Sequence, residues 1–324
     1  MGSARRVTVV SHGPNCLDGL TCAVVAARYF AGRRFEPTFS SNNEIDSTLQ
    51  AYAPTDPGEE ELWVTDISWR DGATDLHLSA LVEAGLELYW IDHHKTAIDR
   101  RRQGGFNVPF TDVVLDDRYA ASRLLFNYLK DRAAKRGESR PGLLATENLV
   151  LLADDVDRWV LSDPRSRELG LAVRAMSQEQ AYRALLAMDS NITYTREIRE
   201  ALQRVEQELQ RTLTLALSTR HVEEVRSRGL VVVAAECDGY AGEIADRWSK
   251  DFRNAVFVLY DHRGSAISLR RTPDCSVDLS RLAAVFGGGG HPAAAGCQIE
   301  AGKEKRAQRI GRKVCDALSE ELDR

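Results

Sequence analysis

Leu86-Glu87-Leu88-Tyr89-Trp90-Ile91-Asp92-His93-His94-Lys95 starts as an apolar run of strand length and ends, with no spacer, in a carboxylate and two imidazoles. Gly85 bounds the run on its other side, as turn residues bound buried strands. Two earlier segments repeat the arrangement. Arg6–Val10 leads into Ser11-His12-Gly13-Pro14-Asn15-Cys16-Leu17-Asp18-Gly19, and Leu62–Ile67 carries Asp66 near its end. Between these runs the spacing turns helical, over Leu20–Phe30 and over Thr74–Ala84 with Leu76, Leu78, Leu81 and Val82. Strand and helix patterns in alternation predict an α/β fold, a parallel sheet with helices on its faces. Ligand sites of such sheets lie just beyond the carboxyl ends of the strands. The three polar clusters are therefore expected to converge.

The pattern then becomes helical. Ala120–Arg136 and Leu144–Val156 read as helices, the second running into Ala153-Asp154-Asp155-Val156-Asp157-Arg158-Trp159. From Arg165 to about Arg220 the chain is helical and densely charged, with both signs alternating as on a solvated face. Beyond Arg228 strands return at Leu230–Ala235, Ala255–Tyr260 and Ala266–Leu269, with a helix over Ala241–Lys250. A helix over Asp278–Phe286 leads into Gly287-Gly288-Gly289-Gly290-His291-Pro292-Ala293-Ala294-Ala295-Gly296, and Glu304–Leu322 closes as an amphipathic helix. The expected organisation is a first domain over residues 1–164, a helical linker over 165–228 and a smaller α/β domain over 229–324.

A chain of 324 residues accommodates two domains of ordinary size. Its net charge of −5 supplies no basic field for long nucleic acid, but leaves room for a short anionic ligand held locally. Six cysteines stand without a paired framework or zinc spacing, as free thiols do in a reducing compartment. No apolar run reaches the length of a membrane span, and no leader precedes the first strand, so a cytoplasmic protein is expected.

Carboxylate oxygen and imidazole nitrogen suit divalent ions such as Mn²⁺. An Asp beside a ligating His also fixes its tautomer. A surface His pair after a strand is the competing account of Asp92-His93-His94. Gly13 and Pro14 shape a tight loop that aims His12 and Asp18 at one point, although an ordinary turn with Asp18 capping a helix accounts for the same residues. Asp66 alone is commonplace. Asp154, Asp155 and Asp157 repel one another unless a metal, Arg158 or solvent neutralises them. Four consecutive glycines let backbone N–H groups approach an anion closely, with His291 as a further donor. A flexible linker is disfavoured there because small apolar residues follow.

Taken in order, these five motifs resemble the DHH phosphoesterases with a DHHA1 domain, the RecJ-like superfamily, over nearly the whole chain. His12 to Asp18 looks like the first motif, Asp66 the second, Asp92-His93-His94 the third, Asp155 the fourth and Gly287–Gly296 the DHHA1 signature. The short first loop and the Asp155-to-Trp159 spacing look most like the nanoRNase branch, which degrades short oligoribonucleotides. The resemblance implies two divalent metal ions about 3.5–4 Å apart, Mn²⁺ ahead of Mg²⁺, Co²⁺ or Zn²⁺. One ion would rest on His12 and Asp66, with Cys16 standing where the family has an aspartate. The second would rest on Asp18, Asp66, His93 and Asp155. His94 would contact the scissile phosphate beside Asp92, and Arg270, Gly288, Gly289, Gly290 and His291 would hold the substrate's far end.

Three readings of Cys16 stay open: a thiolate ligand that favours zinc-like ions, a buried spectator with Asn15 reaching the metal instead, or a weak first site. The implied activity is hydrolysis of short oligonucleotides to mononucleotides, with no long nucleic acid and no membrane as partner and a homodimer compatible. A nucleotide 3′-phosphatase, a cyclic-dinucleotide phosphodiesterase and a catalytically weak nucleotide-binding sensor are the alternatives.

Overall fold

The computed structural model describes residues 5–225, 229–300 and 302–320. Two compact units divide the chain, Met1–Val205 and Glu206–Arg324. The first holds five strands: β1 (Arg6–His12), β2 (Phe35–Ser40), β3 (Glu60–Thr65), β4 (Glu87–Asp92) and β5 (Asp112–Leu115). Their order is β2-β1-β3-β4-β5, parallel throughout. Succession runs outward one way from β1 to β2 and the other way from β3, so a crevice opens at the carboxyl ends of β1 and β3.

Five helices accompany these strands: α1 (Leu17–Tyr29), α2 (Ile45–Gln50), α3 (Gly72–Glu83), α4 (Lys95–Arg102) and α5 (Ala121–Lys135). On one face Trp63, Tyr89 and Ile91 pack with Cys22 and Val25 of α1 and Leu125 of α5. On the other, Leu62, Val64, Leu88 and Trp90 meet Ile45, Leu49, Leu78 and Ala97 from α2, α3 and α4. With both faces covered, alternate side chains are all apolar, which is why β4 reads as a continuous hydrophobic run.

β3 begins ahead of its apolar run, at Glu60 and Glu61. Both are buried and partnered: Tyr52 donates to Glu60 at 2.6 Å, and Arg33 to Glu61 at 2.8 Å. The two edge strands escape the sequence pattern because β2 contains Pro37 and β5 is four residues long. Of the apolar residues on α3, Leu78 is buried while Leu76 is 75% exposed.

Five more helices follow: α6 (Pro141–Leu144), α7 (Glu147–Asp157), α8 (Pro164–Arg174), α9 (Gln178–Leu186) and α10 (Arg196–Thr219). The helix expected over Leu144–Val156 is thus mainly α7, with α6 set off before it. Residues 165–205, expected as linker, lie inside the first unit. The reason is a second apolar face on α1. Leu17, Leu20 and Val24 share a core with Leu152, Leu169, Val173, Leu185 and Ile198. A helix as uniformly apolar as α1 must be covered all round.

The second unit holds β6 (His221–Val225), β7 (Leu230–Cys237), β8 (Ala255–Asp261), β9 (Ala266–Arg271), β10 (Gly289–His291) and β11 (Ala294–Cys297), in the order β10-β11-β9-β8-β7-β6. Only β7 and β8 pair in parallel. One face packs on α11 (Ala241–Trp248) and the end of α10, through Val233, Phe257, Ile244, Trp248 and Leu213. The other packs on α12 (Leu279–Val285) and α13 (Arg306–Glu320), through Val232, Val258, Leu282, Ile310 and Val314. Residues 226–228 of the expected linker and 321–322 of the expected last helix lie outside the described residues. Among the described residues, no helix is long and apolar enough to cross a membrane.

Candidate metal centre

His12 ends β1, and the loop that follows turns at once into α1. Cys16 caps that helix, its Sγ accepting from the Gly19 N–H at 3.4 Å. Gly19 has to lack a side chain, since a Cβ there would collide with the His12 carbonyl. Ser11 Oγ donates to the Gly19 carbonyl at 2.6 Å and receives Thr65 Oγ1 at 2.9 Å, which ties the loop to β3. Asp66, just past β3, sits in the left-handed region at φ 59°, and its N–H donates to the Ile91 carbonyl at 3.0 Å. Non-glycine residues rarely hold that conformation outside turns and functional sites.

Asp66 is the hub. It is 1% exposed, and its Oδ2 lies 3.4 Å from Cys16 Sγ and 3.6 Å from His12 Nδ1. Its Oδ1 lies 3.3 Å from His93 Nε2 and 4.0 Å from His94 Nδ1. Three overlapping sets result: His12, Cys16 and Asp66; Asp66, His93 and His94; Asp18, His93 and Asp157. Within each set the donor atoms lie within 4.8 Å of one another. His93 Nε2 is buried within 3.3 Å of Asp66 and 3.5 Å of Asp157, yet hydrogen-bonds to neither. A buried imidazole nitrogen between two carboxylates and bonded to neither fits a cation there.

Asp92 organises rather than faces this group. Its Oδ1 accepts from the backbone N–H groups of His93 at 2.7 Å and His94 at 3.2 Å, and from His94 Nδ1 at 2.7 Å. That contact assigns the Nδ1 proton and leaves Nε2 of His94 as the ring's available nitrogen. Asp18 is tied to α5, accepting from the N–H groups of Ala121 at 2.8 Å and Ser122 at 3.1 Å. Those are orphan donors at a helix start, where a carboxylate also meets the positive end of the helix dipole.

The aspartates at the end of α7 separate by role. Asp154 accepts from the Ala120 N–H at 2.7 Å and Arg123 at 2.8 Å. Asp155, the expected metal ligand, does not join any of the three sets. Its oxygens accept from Ser162 N at 3.0 Å, Ser162 Oγ at 2.6 Å, Asp163 N at 3.2 Å and Ser166 Oγ at 2.6 Å. Asp157 is the one that faces His93, a residue the sequence offered in the same motif without distinguishing it. No signal in the sequence separated it: helical spacing fixes the angles between positions 154, 155 and 157 but not which of them turns towards His93.

Burial, then Asp66 and Asp157, pushes the Asp18 carboxyl well above its ordinary range, and burial and Asp66 raise Asp157. Burial would lower His93, but Asp66, Asp157 and Asp18 outweigh it and raise it to about 10. His94 is likewise raised to about 9 against burial, through Asp92. Burial opposes ionisation of Asp66, but His12, His93 and His94 win and hold it below the carboxylate range. Burial, followed by Asp66 and Asp18, pushes the Cys16 thiol well up. Carboxyls and a thiol pushed up in this way hold protons that a divalent cation would displace on binding.

The remaining candidates lie in the second unit. His291, Ala294 and Arg270 stand in register across β10, β11 and β9, so their side chains share one face with a small residue between. Gly288 and Gly290 are required by packing: a Cβ would come within 2.6 Å of Cys297 Cβ at the first and of Ala295 Cα at the second. Gly289 is different, since a Cβ there meets nothing within 4 Å.

Residues 229–320 match the DHHA1 domain family. The chain is 26% identical over 297 residues to oligoribonuclease NrnB of Bacillus subtilis (strain 168), covering 88% of this chain and 71% of that protein. Its fold is similar to that of the pGpG-specific phosphodiesterase PggH of Vibrio cholerae, with a TM-score of 0.58 and 13% identity over 98% of this chain and 99% of that one. It is also similar to exonuclease RecJ bound to manganese, with a TM-score of 0.55 and 16% identity over 99% of this chain and 91% of that one. At these identities the structural likeness is one of fold.

Proposed function

Starting from a chain that carries a DHHA1 domain on the fold of the RecJ-like DHH phosphoesterases, we propose that it is a divalent-metal-dependent phosphodiesterase acting on short oligonucleotides. Dinucleotides are the smallest such substrates and mononucleotides the products. The observation that carries the reading is Asp66, one buried carboxylate shared by two donor sets whose other members come from the ends of β1 and β4. The likeness to NrnB and PggH supports the substrate class, and the manganese bound by RecJ supports the cofactor class.

Cations would be held on either side of Asp66, one by His12 and Cys16 with Asp66, the other around His93 with Asp18 and Asp157 close by. Divalent cations bound there would polarise the phosphate and activate a water nucleophile. The protein's own part is orientation. Asp92 holds His94 with a single ring nitrogen available to a phosphate oxygen. In the second unit, Arg270, His291 and the open backbone at Gly289 are donors of the kind that bind phosphate. Six cysteines without a disulfide support a reducing, cytoplasmic setting.

The test is hydrolysis of an end-labelled dinucleotide with Mn²⁺ by the wild type and by His93→Ala. Chelator should abolish cleavage by the wild type and added Mn²⁺ restore it. Equal rates in the two proteins would sink the proposal. Nucleotide 3′-phosphates and cyclic dinucleotides in the same panel separate the neighbouring activities, and a protein that cleaves none of them while binding nucleotide is a sensor.

A further inference from the structure

We infer that Cys16 is a sulfur ligand in this chain, so that the His12, Cys16 and Asp66 set selects a thiophilic divalent cation of the zinc or cobalt type. The set around His93 keeps nitrogen and oxygen donors alone and suits Mn²⁺. The inference shares with the proposed function only the premise that this cluster holds cations; it needs nothing about the substrate.

Distances favour it. A tetrahedral zinc with bonds of about 2.3 Å to sulfur and about 2.0 Å to oxygen and nitrogen sets donor pairs roughly 3.3–3.5 Å apart. Cys16 Sγ stands 3.4 Å from Asp66 Oδ2, and His12 Nδ1 stands 3.6 Å from the same oxygen. The three protein donors would leave one position open, the pattern of catalytic rather than structural zinc sites. Among the described residues no other cysteine joins such a group.

Helix capping and a thiol hydrogen bond are the competing explanations of Cys16, because its sulfur accepts from Gly19 N–H and its S–H donates to Asp66 Oδ2. Sulfur is a weak acceptor, and serine, threonine, aspartate or asparagine caps better. The backbone of Cys16 is extended, at φ −98° and ψ 118°, so neither serine nor aspartate is strained there.

The full chain, stripped of metal and titrated with Co²⁺, should show a sulfur-to-cobalt charge-transfer band in the near ultraviolet beside the visible ligand-field bands. Cys16→Ser and Cys16→Asp should both lose the charge-transfer band, while the ligand-field bands remain in Cys16→Asp. Zn²⁺ affinity of Cys16→Ser should fall by at least the roughly 10–100-fold that loss of a mere supporting partner brings. Cys16→Asp should shift preference towards Mn²⁺. A wild type without the band, or a band that survives in Cys16→Ser, overturns the inference even if dinucleotides are cleaved. Sulfur-bound cobalt in a protein that cleaves none of the substrates would overturn the functional reading and leave this one standing.

Discussion

Asp157 Oδ2 lies 3.5 Å from His93 Nε2, while Asp155, two residues earlier on the same helix, spends both oxygens on the backbone and hydroxyls of Ser162, Asp163 and Ser166. The two carboxylates therefore have separable effects. Asp157→Ala should weaken metal binding by about 10–100-fold or more, with little change in stability. Asp155→Ala should destabilise the fold by about 2–3 kcal/mol, since several hydrogen bonds to a charged acceptor are lost. Metal titration and urea unfolding of both variants read the difference, and a metal defect confined to Asp155→Ala would reverse the assignment.

Asp92 gives a second contrast. It is fully buried and its Oδ1 gathers three donors from His93 and His94. Asp92→Asn preserves shape but puts an amide where a carboxylate held the imidazole. Cleavage should fall by about 10–100-fold with the circular dichroism spectrum unchanged. Wild-type turnover in that variant would remove Asp92 from the account.

In the second unit the glycines divide. Gly288→Ala should destabilise by about 1–3 kcal/mol, because the new methyl meets Cys297 across the β10–β11 hairpin. Gly289→Ala should leave stability within about 0.5 kcal/mol, since nothing packs there. If that open backbone meets substrate, its KM should rise several-fold. An unchanged KM would assign Gly289 no part in binding.

Acid sensitivity can be traced to Asp46 on α2. Burial would raise its carboxyl, but donors from Thr74 Oγ1, Asp71 N and Arg70 N outweigh burial and lower its pKa below the ordinary value. A depressed folded-state pKa adds stability that is complete above the unfolded-state value and lost as pH falls through the folded one. Asp46→Asn should accordingly melt below the wild type at neutral pH, with the gap closing as pH drops below about 4. A gap that stays constant into acid would show that the carboxylate charge is not what matters.

Much of the first unit is written in local pattern. β1, β3 and β4 are apolar runs because both sheet faces are covered, and each ends in the polar residues that meet in the crevice. β2 and β5 were not legible, because edge strands need only half of that burial. Helices α8 and α9 were legible as helices but not as part of the first unit. Their charged faces dominate the sequence, while the small residues that fit them to α1 do not stand out.

The sequence by itself determined that His12, Cys16, Asp18, Asp66, His93 and His94 would gather, since parallel strands bring their carboxyl ends to one edge. Only the tertiary structure decided which aspartate of α7 joins them. Three carboxylates within four residues are equivalent in composition, and their order says nothing about which way each points. The packing of α7 in its core fixes the helix's rotation, and with it Asp154 on α5, Asp155 on the following loop and Asp157 on His93. Rotation of a packed helix is a property of all its neighbours at once, and no local stretch of sequence holds it.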